Sequence, residues 1–448
     1  MKENCFNCSD LGIYSQALFE LAFGKSWNPF LTVRGLKIFN DHFDPILILA
    51  SGLLKPFGAK ISIVLGLELF FVSLPFLISY RVLGPSKKVL LLFYLMIFSR
   101  PLLNGLFFPV HPTTWSFFPC FLLGFFLFQE DEAPYKLFSL AMFLCLFREE
   151  FPLAIGSLGG VLLIEKKWQA GILLLIGGLL WTAFDFYWRP LLLGPTISYG
   201  GPLLRSLLQS PFTSLFRAFK ALDLYSVIKD YWPFFLFPFV FTSYKNRKTA
   251  SLAALGFLLP LIGIRILANA FFFHYGAPLI GFFFGSVLAL HEILDQILKS
   301  KKLLALIVLL AFFTSSSVYT KAFKLFFMHQ GPHCRFSKAK DQSTATLLYI
   351  LNRIKLEPEV GNIMSTGGLI PQILSPQLPI HHLGGWSFPQ GQYRWLILEK
   401  NNTGSTWPLL PEKVRLVQNR CQRYAQQVLM NDEYYYFALG PFPWDCVK

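Results

Sequence analysis

The sequence predicts an α-helical integral membrane protein with about ten transmembrane helices and a small C-terminal α/β domain. Three observations lead there. Of the 448 residues 54% are hydrophobic, and 50 are Phe. Only 15% are charged, against roughly 25% in a soluble domain, too few to cover a water-soluble fold of this size. Long stretches carry no charge at all: 29 residues from Pro101 to Gln129, 26 from Ile266 to His291 and 18 from Leu303 to Thr320. The same numbers exclude disorder.

Taken in order, residues 1–44 hold no apolar span and read as a first outer loop with acidic motifs. The transmembrane domain is 45–328. Its candidate spans are Ile61–Tyr80, Val89–Phe98 with its continuation, Thr113–Phe128, Leu137–Phe147, Phe151–Ile164, Ala170–Trp188, Tyr231–Tyr244 and Thr249–Ile264, besides the charge-free runs above. Crossing a bilayer as helix takes about 20 mostly apolar residues, with every backbone amide bonded internally. Several candidates are shorter, and Pro-bearing joins such as Ser99-Arg100-Pro101 and Glu150-Phe151-Pro152 blur their ends.

Basic residues set the orientation, because cytoplasmic loops retain Lys and Arg. The dense groups are Arg81 with Lys87 and Lys88, Lys166 with Lys167, Lys245 with Arg247 and Lys248, and Lys299 with Lys301 and Lys302. Counting spans puts all four on one side, together with the join Gln129–Lys136. The opposite joins carry single cations: Arg100, Arg148, Arg189 and Arg265. Both chain ends then lie outside the cytoplasm. The opening segment has no signal peptide, so either the first helix carries it across or an upstream helix precedes it, and the second is expected.

Past Met328 the texture changes to short segments separated by turns, with 12 basic and 8 acidic residues in 329–448. Thr344–Ile354 reads as an amphipathic helix. Val360–Met364, Leu369–Leu374, Trp395–Leu398 and Tyr434–Leu439 read as strands. This is the extracytoplasmic α/β domain. Cys334, Cys421 and Cys446 share it, where a disulfide is allowed but its pairing is open. Cys120 and Cys145 lie in apolar spans as packing residues. Cys5 and Cys8 lack the second ligand pair of a zinc site, and Asn401-Asn402-Thr403 fits the N-glycosylation pattern.

The polar residues near the outer face carry the chemistry. Asp10, Asp41 and His42 stand in the opening segment, and a carboxylate held near a low-dielectric surface can have its pKa raised and serve as a base. Capping the following helix is the structural alternative for Asp10. His111 interrupts the longest charge-free run, where it could simply bond a backbone carbonyl. Arg148, Glu149 and Glu150 form a charged join, and charges at membrane depth usually face a cavity or pair together. Arg265 and His274 flank another outer join. Glu68 and Asp185 lie in or beside spans with no role assigned. No Gly-rich phosphate loop, HExxH, GxSxG or paired CxxC motif is present. The net charge of +15 is spread over cytoplasmic joins and the C-terminal domain rather than gathered on a basic face, so nucleic acid is not an expected partner.

The order Asp10-Leu11-Gly12-Ile13-Tyr14-Ser15-Gln16-Ala17, Asp41-His42-Phe43-Asp44-Pro45, His111-Pro112 and Arg148-Glu149-Glu150 resembles a large uncharacterised family of bacterial and archaeal polytopic membrane proteins. That family is similar to the GT-C superfamily of membrane glycosyltransferases, which includes protein mannosyltransferases. The resemblance covers nearly the whole chain. It implies an acid of the first outer loop, Asp10 or Asp41 with His42 beside it, as catalytic base or contact for a divalent metal. It implies a polyprenyl-phosphate sugar as donor, with the membrane lipid as surroundings. The chain departs from the family in lacking a helix before the Asp10 motif and a carboxylate before His111, and in carrying Arg148 where a lysine is usual.

The expectation is a GT-C-type glycosyltransferase at the outer face of the cytoplasmic membrane. Asp10 or Asp41 would take the acceptor proton. His111, Arg148, Glu149, Glu150, Arg265 and His274 would hold substrate, the cations steadying the departing lipid phosphate. The alternative is a transporter or flippase for a lipid-linked or anionic substrate, with Glu68, Asp185 and Arg265 along its path. Inverted repeats, usual in secondary transporters, are not found in the sequence.

Overall fold

A computed structural model describes residues 8–194 with short breaks, parts of 252–262, residues 276–326, and, in the C-terminal region, 361–366, 380–383, 392–400 and 411–447 with short pieces between. The chain is mainly helical, with a small sheet domain near its C-terminus.

Among the described residues two helices are long and apolar enough to cross a membrane: α4, Ile61–Leu83, and α11, Trp168–Leu193. At 1.5 Å per residue each reaches beyond the roughly 30 Å of a hydrocarbon core. α4 ends where Gly84 takes a φ of 63° and its N–H bonds Tyr80 O, a left-handed stop that suits Gly. α11 runs through a π turn, Phe184–Trp188. Both leave large apolar side chains exposed, among them Leu69, Phe70, Leu77, Leu179 and Leu180. Such a belt has lipid as its natural solvent.

Most of the remaining helices are shorter than the two spans. They include α1 (Cys8–Phe23), α2 (Ile38–Asp41), α3 (Ile46–Leu54), α5 (Lys87–Ile97), α6 (Arg100–Phe107), α7 (Pro112–Trp115), α8 (Phe117–Leu127), α9 (Pro134–Cys145) and α10 (Phe151–Ile164). α12 (Ala277–Ala289) and α13 (Glu292–Lys299) meet at 85° and would make a third span if taken as one. α14 covers Lys301–Phe326. The described residues therefore support two or three spans, not about ten. The physical reason lies in the joins: polar or Pro-bearing breaks cut the run 101–129 into α6, α7 and α8, of 8, 4 and 11 residues, each too short to cross. The Tyr231–Tyr244 candidate, and part of Thr249–Ile264, lie outside the described residues.

Residues 1–44 are also not simply a loop. α1 buries Leu11, Tyr14, Leu18, Phe19 and Ala22 in the helical core, a spacing that lines one helical face. Close helix packing depends on glycine. Gly281 and Gly285 of α12 lie on the carbonyls of Phe117 and Phe121 in α8, and Gly124 lies on the carbonyl of Phe282. A side chain at any of the three would push the backbones apart.

Several joins meet in pairs. Lys88 at the start of α5 pairs with Asp295 of α13 at 2.7 Å. A cavity of about 290 Å³ is lined by Gln129, Pro134, Lys167 and Trp168, so the α8–α9 and α10–α11 joins lie together. Elsewhere Ile46 N–H bonds Leu146 O at 2.9 Å, drawing the start of α3 onto the join that carries Arg148.

The C-terminal sheet has β5 (Ile363–Ser365), β6 (Ile380–His382), β7 (Gln392–Glu399), β8 (Gln427–Asn431) and β9 (Tyr435–Pro443), preceded in the chain by hairpins β1–β2 (Phe30–Leu31, Leu36–Lys37) and β3–β4 (Gln330–Gly331, Cys334–Arg335). The order is β6-β5-β7-β9-β8, with β6, β5 and β7 parallel and β9 antiparallel to both neighbours. One face packs Met364, Leu396, Leu398 and Tyr436 under Val414 and Val417 of α15 (Pro411–Cys421). The other face packs Ile363, Ile397 and Phe437 with Leu347 and with Val33 from the β1–β2 hairpin. The expected strands at 360–364, 395–398 and 434–439 correspond to β5, β7 and β9, while Leu369–Leu374 lies outside the described residues. Cys421 bonds Cys446.

Candidate functional site

The opening segment is pinned before it delivers any acid. From α1, Gln16 donates to Thr32 Oγ1 at 2.8 Å and accepts Val33 N–H at 3.0 Å. Asn28 accepts Phe39 N–H at 3.0 Å and donates to Asn40 Oδ1 at 3.1 Å. Asn40 in turn donates to Leu193 O at the end of α11, at 3.0 Å. The chain then makes the single turn α2, extends at His42 (φ −115°, ψ 143°) and starts α3 behind Pro45. This change of direction sends Asp41, His42, Phe43 and Asp44 toward different neighbours.

His42 Nδ1 meets Glu149 Oε1 at 2.9 Å, and Arg148 Nε lies 3.9 Å from Glu149 Oε2. Arg148 and Asp41 are both buried, and so is Glu150. Asp44 is fully buried. Burial pushes its carboxyl up to about 7, with Arg148 and His42 opposing the shift and Glu149 and Asp41 adding to it. Burial would also raise Glu149, but Arg148 and the hydrogen-bonded His42 outweigh it and hold that carboxylate well below its ordinary range. Near neutrality Glu149 is thus ionised while Asp44 stands at its midpoint, a separation of the kind that assigns acid and base roles in many sites.

On the other side of Asp44, Tyr14 Oη lies 3.5 Å from Asp44 Oδ2 and 3.4 Å from His111 Nε2. The Tyr14 and His111 rings meet edge to face with centroids 4.9 Å apart. His111 Nδ1 accepts Thr113 N–H at 3.2 Å, capping α7. From α11, Arg189 Nε lies 3.1 Å from Asp185 Oδ1, both buried. The Arg189 guanidinium lies 5.8 Å from the Phe43 ring centroid.

The structure therefore brings together Asp41, His42, Arg148, Glu149 and, through Tyr14, His111, with Glu150 next in the chain. Asp10 lies in the first turn of α1, which starts two residues before it; it does not precede the helix as a cap would. Its side chain, and Arg265 and His274 entirely, lie outside the described residues. The sequence favours Asp41 over Asp44, carries Tyr14 and Asp44 only inside motifs, and offers Glu68, Asp185 and Arg189 without a place among the candidate catalytic or binding residues. For the last pair a signal existed: opposite charges four apart in an apolar helix face each other. Among the described residues no three His, Cys, Asp or Glu side chains converge as metal ligands.

Comparison with known protein families, with characterised proteins and with solved structures finds no match to this chain. The GT-C resemblance thus rests on its motifs alone.

Proposed function

We propose that the chain is a membrane-embedded glycosyltransferase of GT-C type, moving a sugar from a polyprenyl-phosphate donor to an acceptor hydroxyl at the outer face of the cytoplasmic membrane. One observation carries this reading. A buried carboxyl poised near neutrality, Asp44, shares a cluster with a buried guanidinium, Arg148, where apolar helices meet a segment packed under a folded sheet domain. Asp44 replaces Asp10 and Asp41 as the base, with Asp41 its neighbour. The acceptor O–H gives its proton to the Asp44 carboxylate as its oxygen attacks the anomeric carbon. The bond from that carbon to the phosphate oxygen breaks with inversion, and the lipid phosphate leaves toward Arg148, whose planar fork suits phosphate. The sheet domain would hold the acceptor.

The Cys421–Cys446 bond suits an oxidising compartment. About ten crossings would require broken pairs such as α5–α6 to cross as one unit. Against transport, Glu68 and Asp185 are engaged by Val110 and Arg189 rather than spaced along a path.

The test is transfer of labelled sugar from polyprenyl-phosphate donors by purified, reconstituted protein. Asp44→Asn should lower the rate by about 10²–10⁴-fold, the usual share of a general base. Undiminished transfer in folded Asp44→Asn would remove Asp44 as the base, and no transfer by the wild-type chain from any polyprenyl-phosphate sugar would remove the whole reading.

A further inference from the structure

Glu68 lies within the apolar helix α4, is 2% exposed, and has no part in the reaction above. An acid inside a span costs about 3 kcal/mol to insert and so signals a task. Its Oε2 accepts the backbone N–H of Val110. Val110 has a φ of 67°, a left-handed conformation that a β-branched side chain strongly disfavours. An acid from one helix thus holds a second segment in a backbone state its own residues resist.

The next residue is His111. Its Nδ1 accepts Thr113 N–H, so the ring proton sits on Nε2. That nitrogen faces the Tyr14 hydroxyl at 3.4 Å, and the hydroxyl faces Asp44 Oδ2 at 3.5 Å. With the proton on Nε2, His111 donates to Tyr14 oxygen and leaves the phenolic hydrogen for Asp44. The chain of donors then runs one way, from His111 through Tyr14 to Asp44.

We propose that Glu68 is a positioning residue: by holding Val110 in the left-handed turn it fixes the tautomer and angle of His111, and through Tyr14 the hydrogen bond that Asp44 receives. The inference rests on the reading of Asp44 as the base. A hydrogen bond donated to a carboxylate favours its ionised form. Loss of Glu68 therefore moves the ionisation of Asp44 to higher pH, against the unchanged charges that also face it, Arg148, His42, Glu149 and Asp41.

The experiment compares Glu68→Gln, Glu68→Leu and Glu68→Leu combined with Val110→Gly in the full chain. Glutamine retains a carbonyl acceptor, leucine does not, and glycine removes the left-handed penalty. The first readout is the ¹⁵N spectrum of histidine-labelled protein, with the His111 signals identified by their loss in His111→Asn. Wild type and Glu68→Gln should show the Nε2–H tautomer, Glu68→Leu should lose it, and the double variant should regain it. The second readout is the pH dependence of transfer, whose acid limb should rise by about half a unit in Glu68→Leu and return in the double variant. An unchanged tautomer in Glu68→Leu, or a double variant that fails to restore it, overturns the proposal. If Glu68→Leu alone does not fold, the double variant decides. A tautomer that follows the prediction in a chain that transfers no sugar would support the role of Glu68 toward His111 and sink the glycosyltransferase reading instead.

Discussion

Asp44 and Asp41 stand three positions apart, and only the fold tells them apart. The extended backbone at His42 turns Asp44 inward to Tyr14 and Arg148, whereas the sequence presents both as acids beside a histidine. The stability consequence of Asp44 has a definite sign. Its carboxyl ionises at about 7 when folded against an ordinary value of 3.8. Between those values the folded state keeps a proton the unfolded chain has lost, so its contribution is fully present below about pH 4 and is lost as pH rises through about 7. Asp44→Asn, which cannot ionise, should lose less thermal stability than wild type between about pH 5 and pH 8, read as the difference in Tm in detergent. Equal losses would contradict the buried, raised carboxyl. The Asp185–Arg189 pair predicts a larger effect. Arg189→Leu leaves Asp185 buried without its partner and should cost about 3–5 kcal/mol, whereas replacing both by leucine should cost less; chemical denaturation separates the two.

At the scale of elements, unbroken apolar stretches made helices legible at 61–83, 151–164 and 168–193, and short apolar patterns made strands legible at 363–365, 392–399 and 435–443. That signal failed where buried polar residues interrupt an apolar helix. α1 carries Ser15 and Gln16, both buried, between its apolar residues and so reads as loop. The span count failed for a related reason: absence of charge measures the polarity of a run, while the length of a helix depends on where Pro and hydrogen-bonding side chains break it. Glycine contact makes a prediction here. Gly285→Leu would drive a side chain into the carbonyl of Phe121 and separate α8 from α12. It should destabilise the bundle by about 1–3 kcal/mol or more, as overpacking does. Gly52 and Gly66, which open onto empty space, should accept alanine with little change, and thermal scans of the three variants compare them directly.

Over the whole molecule, two stability slopes of opposite sign belong to two regions. In the sheet domain burial lowers the His381 imidazole to about 4, so the neutral ring is favoured when folded. Its contribution is present above about pH 6.5 and is lost as pH falls through about 4, opposite to Asp44. Hydrogen exchange at about pH 5 and about pH 8 should therefore show the sheet strands loosening on acidification and the segment around Asp44 loosening on the alkaline side. Cys421→Ser should weaken the sheet domain by roughly 3 kcal/mol, since the bond closes a loop of 25 residues. The pairing of Cys421 with Cys446 could not be read from sequence, because three cysteines share the domain and spacing does not choose among them.

These scales meet at Asp44: in the proposed reaction its carboxyl, raised toward neutrality by burial, would take a proton from the acceptor as the sugar leaves its lipid phosphate. The most direct measurement is the initial rate of sugar transfer from a polyprenyl-phosphate donor across about pH 5 to pH 9. The predicted result is a rate that climbs through about pH 7 as Asp44 ionises and a climb that disappears with the activity in Asp44→Asn. A rate that is flat across that range, or a climb that survives in Asp44→Asn, would contradict it.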